Sequence, residues 1–335
     1  MLKIGLIGTG GIGRTHVDRI NNRLTGGRVV AVADPHPDFG RQVAEQLGLT
    51  FFEDPAALIE DKEIDALINT TADAFHEQYA MAALTAGKPM FVEKPLAAEA
   101  EACRRIVERE MAGEKPLLQV GFMRRYDDGY RQLKEAVDSG NYGLPLLLHC
   151  AHRNPSVPDD YDTPMAVENS MIHEIDVLRW LLGEDYRTAE VRFGRDTRRA
   201  SGSLRDPQTM ILTTESGVRI DVEAFVNTGH SYEIKCEIVC EDGILSLPAP
   251  PYIEVCRDAF RGRPIDRDWS TRFGEAYDRE LQAWINDTAV GRLTGPSAWD
   301  GYVAQLTAQA ASKARDEQNI QVIDIPEKPG FYRTE

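Results

Sequence analysis

The chain has 335 residues, of which 42% are apolar and 27% charged, and a formal net charge of −16. That length has room for two hydrophobic cores, and the composition is ordinary for a soluble globular protein. The acidic balance argues against a nucleic-acid surface, which needs a basic patch to displace counterions.

Five cysteines (Cys103, Cys150, Cys236, Cys240 and Cys256) include no Cys-x-x-Cys pair. They read as buried or free thiols of a reducing compartment, and no dense ligand cluster suggests a metal. No apolar run approaches a membrane span. Met1 to Gly5 leads straight into a strand without a signal-peptide layout, so the cytoplasm is the expected location.

In chain order, Lys3–Gly8 is a short apolar strand, and Gly8-Thr9-Gly10-Gly11-Ile12-Gly13 follows at once. This G-x-G-x-x-G spacing suits a dinucleotide: Gly8 for the tight turn, Gly10 for approach of the pyrophosphate, Gly13 for close helix packing. A helix over Arg14–Leu24 should offer its N-terminal N–H groups to the phosphates. Arg28–Asp34 is the second strand, and Asp34 lies 21 residues after Gly13. A carboxylate there can accept from the ribose hydroxyls and would repel a 2′-phosphate, which points to NAD rather than NADP.

The alternation goes on with a helix over Phe39–Leu47, a strand at Thr50–Phe52, a short helix over Pro55–Glu60 and a strand over Ala66–Thr71. A helix over Phe75–Ala86, a strand over Pro89–Glu93, a helix over Ala97–Met111 and a sixth strand over Leu117–Phe122 complete the half. Such alternation predicts a doubly wound parallel sheet, an α/β Rossmann domain over 1–122. Thr70, Thr71 and Ala72 stand at a strand's carboxyl end, where ligands of open sheets bind, with His76 just beyond as a cap or packing residue. Glu93-Lys94-Pro95 ends the fifth strand, and proline stops the ladder. Lys94 at that end is poorly placed for a core and well placed for a site.

From 123 the rhythm changes. After a helix over Tyr130–Ser139, strand-like runs occur at Leu146–His152, Ala189–Phe193, Met210–Thr214, Val218–Val226, Tyr232–Val239, Gly243–Leu247 and Tyr252–Cys256. Close turns join several of them, which predicts an α+β domain over 123–335 with a large, mostly antiparallel sheet. Helices over Arg272–Gly291 and Ala298–Glu317 pack back, and Gln321–Ile325 is a last strand.

Asn169–Leu182 is the most informative helix of this half. At roughly 100° per residue, Met171, Ile175, Leu178 and Leu182 share one side. Asn169, His173, Asp176 and Trp180 share the other. A solvated face more often carries Lys, Glu or Arg; this one carries proton-handling groups, and with Lys94 and the strand-end His152, Arg153 and Asn154 it reads as a site.

Several of these segments resemble the glucose–fructose oxidoreductase/inositol dehydrogenase family (Gfo/Idh/MocA), most closely its bacterial myo-inositol 2-dehydrogenases. They are the Gly8–Gly13 fingerprint, Glu93-Lys94-Pro95, Gly121–Tyr126, His152–Pro155, Ile172–Leu178 and Gly295–Tyr302. The resemblance runs nearly end to end. It implies NAD as cofactor, a polyol substrate and a homotetramer without membrane or nucleic-acid partners. It implies catalytic roles for Lys94, His173 and Asn169, and polyol contacts for Lys94, Arg124, His152, Asn154, Asn169, His173, Asp176 and Tyr232. Gly8, Gly10, Gly11, Ile12, Gly13, Asp34, Thr70, Thr71, Ala72, His76, Glu93, Lys94 and Arg124 are the expected cofactor contacts. The family usually has an aspartate four residues before the histidine, where this chain has Asn169 beside Glu168. An amide can orient an imidazole but cannot carry charge or relay a proton.

The expected chemistry is hydride transfer from a ring C–H of myo-inositol to NAD+, giving the 2-ketone, with Lys94 and His173 flanking the reacting oxygen. Rival readings are the same chemistry on D-chiro-inositol, scyllo-inositol or glucose, and a non-catalytic NAD-binding sensor.

Overall fold

A computed structural model describes residues 1–249 and 253–333. The chain forms two compact units. The first takes Met1–Phe122 together with Tyr277–Leu306 and a C-terminal segment from Pro326; the second takes Met123–Ala276 and Thr307–Ile325. The expected run of 123–335 as one block is thus interrupted twice.

In the first unit six parallel strands lie in the order β3-β2-β1-β4-β5-β6. They are β1 (Leu2–Ile7), β2 (Gly27–Ala33), β3 (Thr50–Phe52), β4 (Ala66–Asn69), β5 (Met90–Glu93) and β6 (Leu118–Gly121). Strand order reverses beside β1, so the loops after β1 and β4 open the crevice where doubly wound sheets bind ligands. Ile4, Leu6, Val29, Val32, Ile68 and Phe91 are buried in the core, with Leu281, Trp284 and Ile285 of the helix Gly274–Ala289 among them. The Trp284 ring meets Phe91 edge-on at 5.9 Å. The late helix therefore completes the core of the first sheet, which an apolar stripe by itself cannot announce.

The second unit holds a seven-stranded mixed sheet in the order β12-β11-β7-β10-β9-β8-β15. Its strands are β7 (Pro145–Arg153), β8 (Tyr186–Phe193), β9 (Gln208–Thr214), β10 (Arg219–Phe225), β11 (Glu233–Cys240), β12 (Ile244–Ser246) and β15 (Gln321–Val322). Among the described residues of this sheet, only β7 and β10 pair in parallel. On β9 every second residue from Gln208 to Thr214 is buried and the others are half-buried, the period-two signature of a sheet covered on one face.

A separate hairpin pairs β13 (Val255–Arg257) with β14 (Phe260–Gly262). Of the strand expected at Tyr252–Cys256, Tyr252 lies outside the described residues, and β14 was not expected. The helix expected from Asn169 starts with a π-helical turn at Ala166–Met171 and becomes α-helical at Ile172–Leu182. Four of the five cysteines are buried, Cys256 is exposed, and all are free thiols. Among the described residues no helix is long and apolar enough to cross a membrane.

Candidate active site

The glycine turn of the first unit is built by exclusion. Gly8 has φ +95°, a conformation side chains disfavour, and a Cβ there would stand 2.6 Å from the Thr70 backbone. A Cβ on Gly13 would stand 2.1 Å from the Gly8 carbonyl oxygen. At Gly10 and Gly11 a Cβ would meet nothing within 4 Å, so this backbone is bare. The helix Gly11–Asn22 has Gly10 as its N-cap and no side-chain cap for its first N–H groups. Bare backbone, uncapped N–H groups and the positive end of the helix dipole fit a pyrophosphate.

Asp34, buried at the end of β2, holds this turn from the other side. Its Oδ2 accepts from the Thr9 backbone N and from Thr9 Oγ1, both at 2.7 Å, and its Oδ1 accepts from the His36 backbone N at 2.8 Å. A carboxylate has about four acceptor positions, so capacity for a ribose hydroxyl remains. Thr70 Oγ1 donates to the Gly8 carbonyl at 2.6 Å, so that hydroxyl serves the turn. Thr71 Oγ1 donates to Asn69 Oδ1 at 2.8 Å, and Ala72 caps the short 3-10 helix Asp73–Phe75. His76 is buried, with Nδ1 2.6 Å from the Pro95 carbonyl oxygen and Nε2 3.0 Å from that of Thr71. Both ring nitrogens face carbonyl oxygens, one from each loop, and a neutral ring donates to one of them.

Glu93, at the end of β5, is also buried. Its Oε1 lies 2.6 Å from Nε2 of the fully buried His16, which sits on the helix after the glycine turn. Gly121 on the neighbouring strand makes room for this carboxylate: a Cβ there would meet Glu93 Oε2 at 3.0 Å. Lys94 follows, half-buried. His16 was not among the residues singled out from sequence. Its signal was a polar side chain three residues beyond Gly13, on the face that must pack on the sheet.

The second unit gathers Arg124, His152 and Tyr232 around a residue that sequence reasoning missed, Glu174. Arg124 and Glu174 are both buried and paired, Arg124 Nη1 donating to Glu174 Oε1. His152 Nδ1 lies 3.0 Å from Glu174 Oε2 and 3.2 Å from Arg124 Nη2. The guanidinium and the imidazole together outweigh burial and hold the Glu174 carboxyl down at about 2. The Tyr232 ring stands edge-on to His152 at 6.0 Å, and burial pushes its phenol up to about 12. Arg124 also lies over the Phe273 ring, 5.4 Å from its centre. Glu174 stands three residues after Met171 and four before Leu178, so it was a carboxylate on the apolar side of its helix. That placement calls for a buried cation.

The stripe opposite is only partly open. Asn169 and His173 are half-buried, whereas Asp176 is buried and takes both arms of Arg125, at 2.9 and 2.5 Å. Glu168 accepts from Ser312 Oγ at 2.5 Å. Asn154 Oδ1 is buried and accepts no hydrogen bond among the described residues.

A bare glycine turn on a doubly wound sheet, with a strand-end lysine, defines a dinucleotide-dependent oxidoreductase. The chain belongs to the Gfo/Idh/MocA oxidoreductase family: residues 2–122 match its NAD-binding Rossmann fold and 134–323 its C-terminal alpha/beta domain. It is 49% identical over 334 residues to an inositol 2-dehydrogenase of Burkholderia cenocepacia, covering 99% of each chain. It is 48% identical over 334 residues to one of Klebsiella pneumoniae, again with 99% of each covered. Among solved structures it is similar to myo-inositol dehydrogenase from Lactobacillus casei in complex with NAD(H) and myo-inositol. That likeness has a TM-score of 0.97 at 38% identity and covers 99% of this chain and 100% of the other. It is also similar to scyllo-inositol dehydrogenase from the same organism, with a TM-score of 0.88 at 26% identity over 96% and 99% of the two chains.

Proposed function

We propose that this protein oxidises myo-inositol to 2-keto-myo-inositol with NAD+ as hydride acceptor. The observation that carries the reading is the end-to-end likeness to a structure described with both NAD(H) and myo-inositol, joined to the bare backbone at Gly10 and Gly11. Bound NAD+ supplies the redox chemistry. Lys94 or His173 takes the hydroxyl proton, and Asn169 orients the imidazole. Arg124, His152, Asn154, Asp176 and Tyr232 shape the polyol subsite, directly or through the ion pairs described above. A pocket lined by hydroxyl-binding groups penalises an isomer that leaves them unpaired.

A second reading, in which scyllo- or D-chiro-inositol is the preferred substrate, has a specific motive: Asn169 stands where the family usually has an aspartate. We further propose a homotetramer in the cytoplasm. Supporting it, β9 buries one face fully and the other only in part, and Leu144, Leu146, Leu147 and Ile244 are exposed near the β7 and β12 strands of the same sheet.

The test is NADH formation with NAD+ or NADP+ and a panel of myo-, scyllo- and D-chiro-inositol and glucose. Turnover of myo-inositol with NAD+ that disappears in Lys94→Ala is expected. Turnover of another isomer alone would move the substrate and keep the mechanism; no turnover of any polyol would end the dehydrogenase reading. Gel filtration with light scattering checks the tetramer.

A further inference from the structure

The buried cluster of the second unit carries a constraint on hydrogen placement. Two charged groups approach the same nitrogen of His152: the Glu174 carboxylate at 3.0 Å, which can only accept, and the Arg124 guanidinium at 3.2 Å, which can only donate. One ring nitrogen cannot satisfy both. If Nδ1 kept its lone pair, it would face a carboxylate oxygen acceptor to acceptor in a dry environment, and that oxygen cannot turn away because its partner oxygen is held by Arg124 Nη1. The contact to Arg124 Nη2 is the longer of the two, and the guanidinium keeps its charge pairing with Glu174 through Nη1 whichever nitrogen of the ring carries the proton. The proton therefore belongs on Nδ1, donated to Glu174. The His152 backbone is fixed on both sides, opposite Ala224 of β10 and Ile234 of β11, and the Tyr232 ring blocks one side of the imidazole. Its Nε2 makes no hydrogen bond among the described residues.

We propose that Glu174, clamped by Arg124, is a positioning residue that holds His152 as the Nδ1–H form, so that Nε2 presents a lone pair to a hydroxyl of the polyol. The inference rests on the polyol reading above and makes it more specific. The hydroxyl that meets His152 must donate, so an analogue with fluorine or hydrogen at that carbon loses the contact. Glu174 acts through His152 and touches no substrate. A carboxylate that fixes an imidazole tautomer from behind is a general device for setting which nitrogen does the chemistry.

Two measurements test this on the full-length protein. The first is nitrogen-15 NMR of histidine-labelled protein, with the His152 signals assigned by their loss in His152→Gln. The expected neutral form has a protonated Nδ1 and a bare Nε2 in the wild type, and a mixed or reversed population in Glu174→Gln. The second is a double-mutant cycle on myo-inositol turnover. Glu174→Gln should raise KM about tenfold with a smaller change in kcat, and should add nothing further in the His152→Gln background. A wild-type ring protonated at Nε2 would overturn the proposal, as would a Glu174→Gln effect that persists undiminished without His152. The wild-type spectrum needs no Glu174 variant to fold. It also stands apart from the functional reading: inert wild-type enzyme would sink the inositol assignment and leave the tautomer result intact.

Discussion

His16 Nε2 and Glu93 Oε1 lie 2.6 Å apart, and through them the helix that follows the glycine turn is bonded to the residue just before Lys94. Both side chains are buried, and His16 is walled by Phe91 and Tyr277, their ring centres at 6.0 and 5.8 Å. The helix after the glycine turn and the end of the fifth strand are thus one mechanical piece. Glu93→Ala leaves the imidazole without its acceptor and should cost about 1–3 kcal/mol, with weaker NADH binding. Glu93→Gln keeps an oxygen acceptor and should lose less. Urea denaturation and NADH fluorescence titration read both; equal losses in the two variants would contradict the argument.

Gly13→Ala should nearly abolish cofactor binding. The added methyl would lie 2.1 Å from the Gly8 carbonyl oxygen and 2.7 Å from Thr70 Oγ1, and the first of these is backbone that cannot swing aside. Gly10→Ala meets no such obstacle in the folded chain. It should fold normally and weaken NADH only by crowding the ligand, which a parallel thermal melt and titration would separate.

Asp34→Ala should raise KM for NAD+ by about 10–100-fold, the range expected for losing hydrogen bonds to a charged acceptor. It should also improve use of NADP+, because the charge that repels a 2′-phosphate is gone. Since Asp34 also accepts from Thr9, part of the NAD+ loss reflects a loosened turn. Comparing kcat/KM for the two cofactors isolates the charge, and an unchanged NADP+ preference would refute that role.

The Arg124–Glu174 pair makes stability depend on acid. Glu174 has a folded-state pKa of about 2, below its ordinary 4.5. Between those values the unfolded chain binds the extra proton, so stability from this group rises with pH there. It is complete above about 4.5, is lost on the way down to about 2, and is on the order of 3 kcal/mol. Glu174→Gln should therefore be less stable than wild type at neutral pH, and the gap should narrow as pH falls through this window. Urea midpoints at a series of pH values measure it; a gap independent of pH would count against the ion pair.

Asn169→Asp places a carboxylate four residues before His173. A nearby negative charge favours the imidazolium, so the acidic limb of the kcat/KM profile should move to higher pH. The isomer preference should be read in the same experiment. An unmoved limb would mean that this position does not act on His173.

Much of the first unit was legible because its signals are local. The glycine spacing, the six apolar strands and Asp34 at a strand end each depend on neighbours in sequence. The second unit was legible as a sheet, whereas its partners were not. The wheel of Asn169–Leu182 placed Asp176 with the proton-handling groups, yet Arg125, from a distant turn, occupies both of its oxygens. Glu174 hid on the apolar stripe because only the fold supplies Arg124. The strand Phe260–Gly262 went unread since the turn before it bends at Asp258 and Ala259, with φ of 51° and 59° and no glycine to mark it. The π-helical turn at Ala166–Met171 has no sequence signature of its own.

The seat of Trp284 among Ile4, Val29 and Phe91 has a consequence for how the protein is made. A nascent chain that has released its first 122 residues has all six strands of the cofactor sheet and still lacks part of the core. The gap closes only after residues near 285 leave the ribosome. Until then the sheet exposes an apolar surface shaped for its own distant helix. A fragment ending at Phe122 should therefore aggregate, and a cofactor-binding module cut from this protein needs its late helix supplied with it.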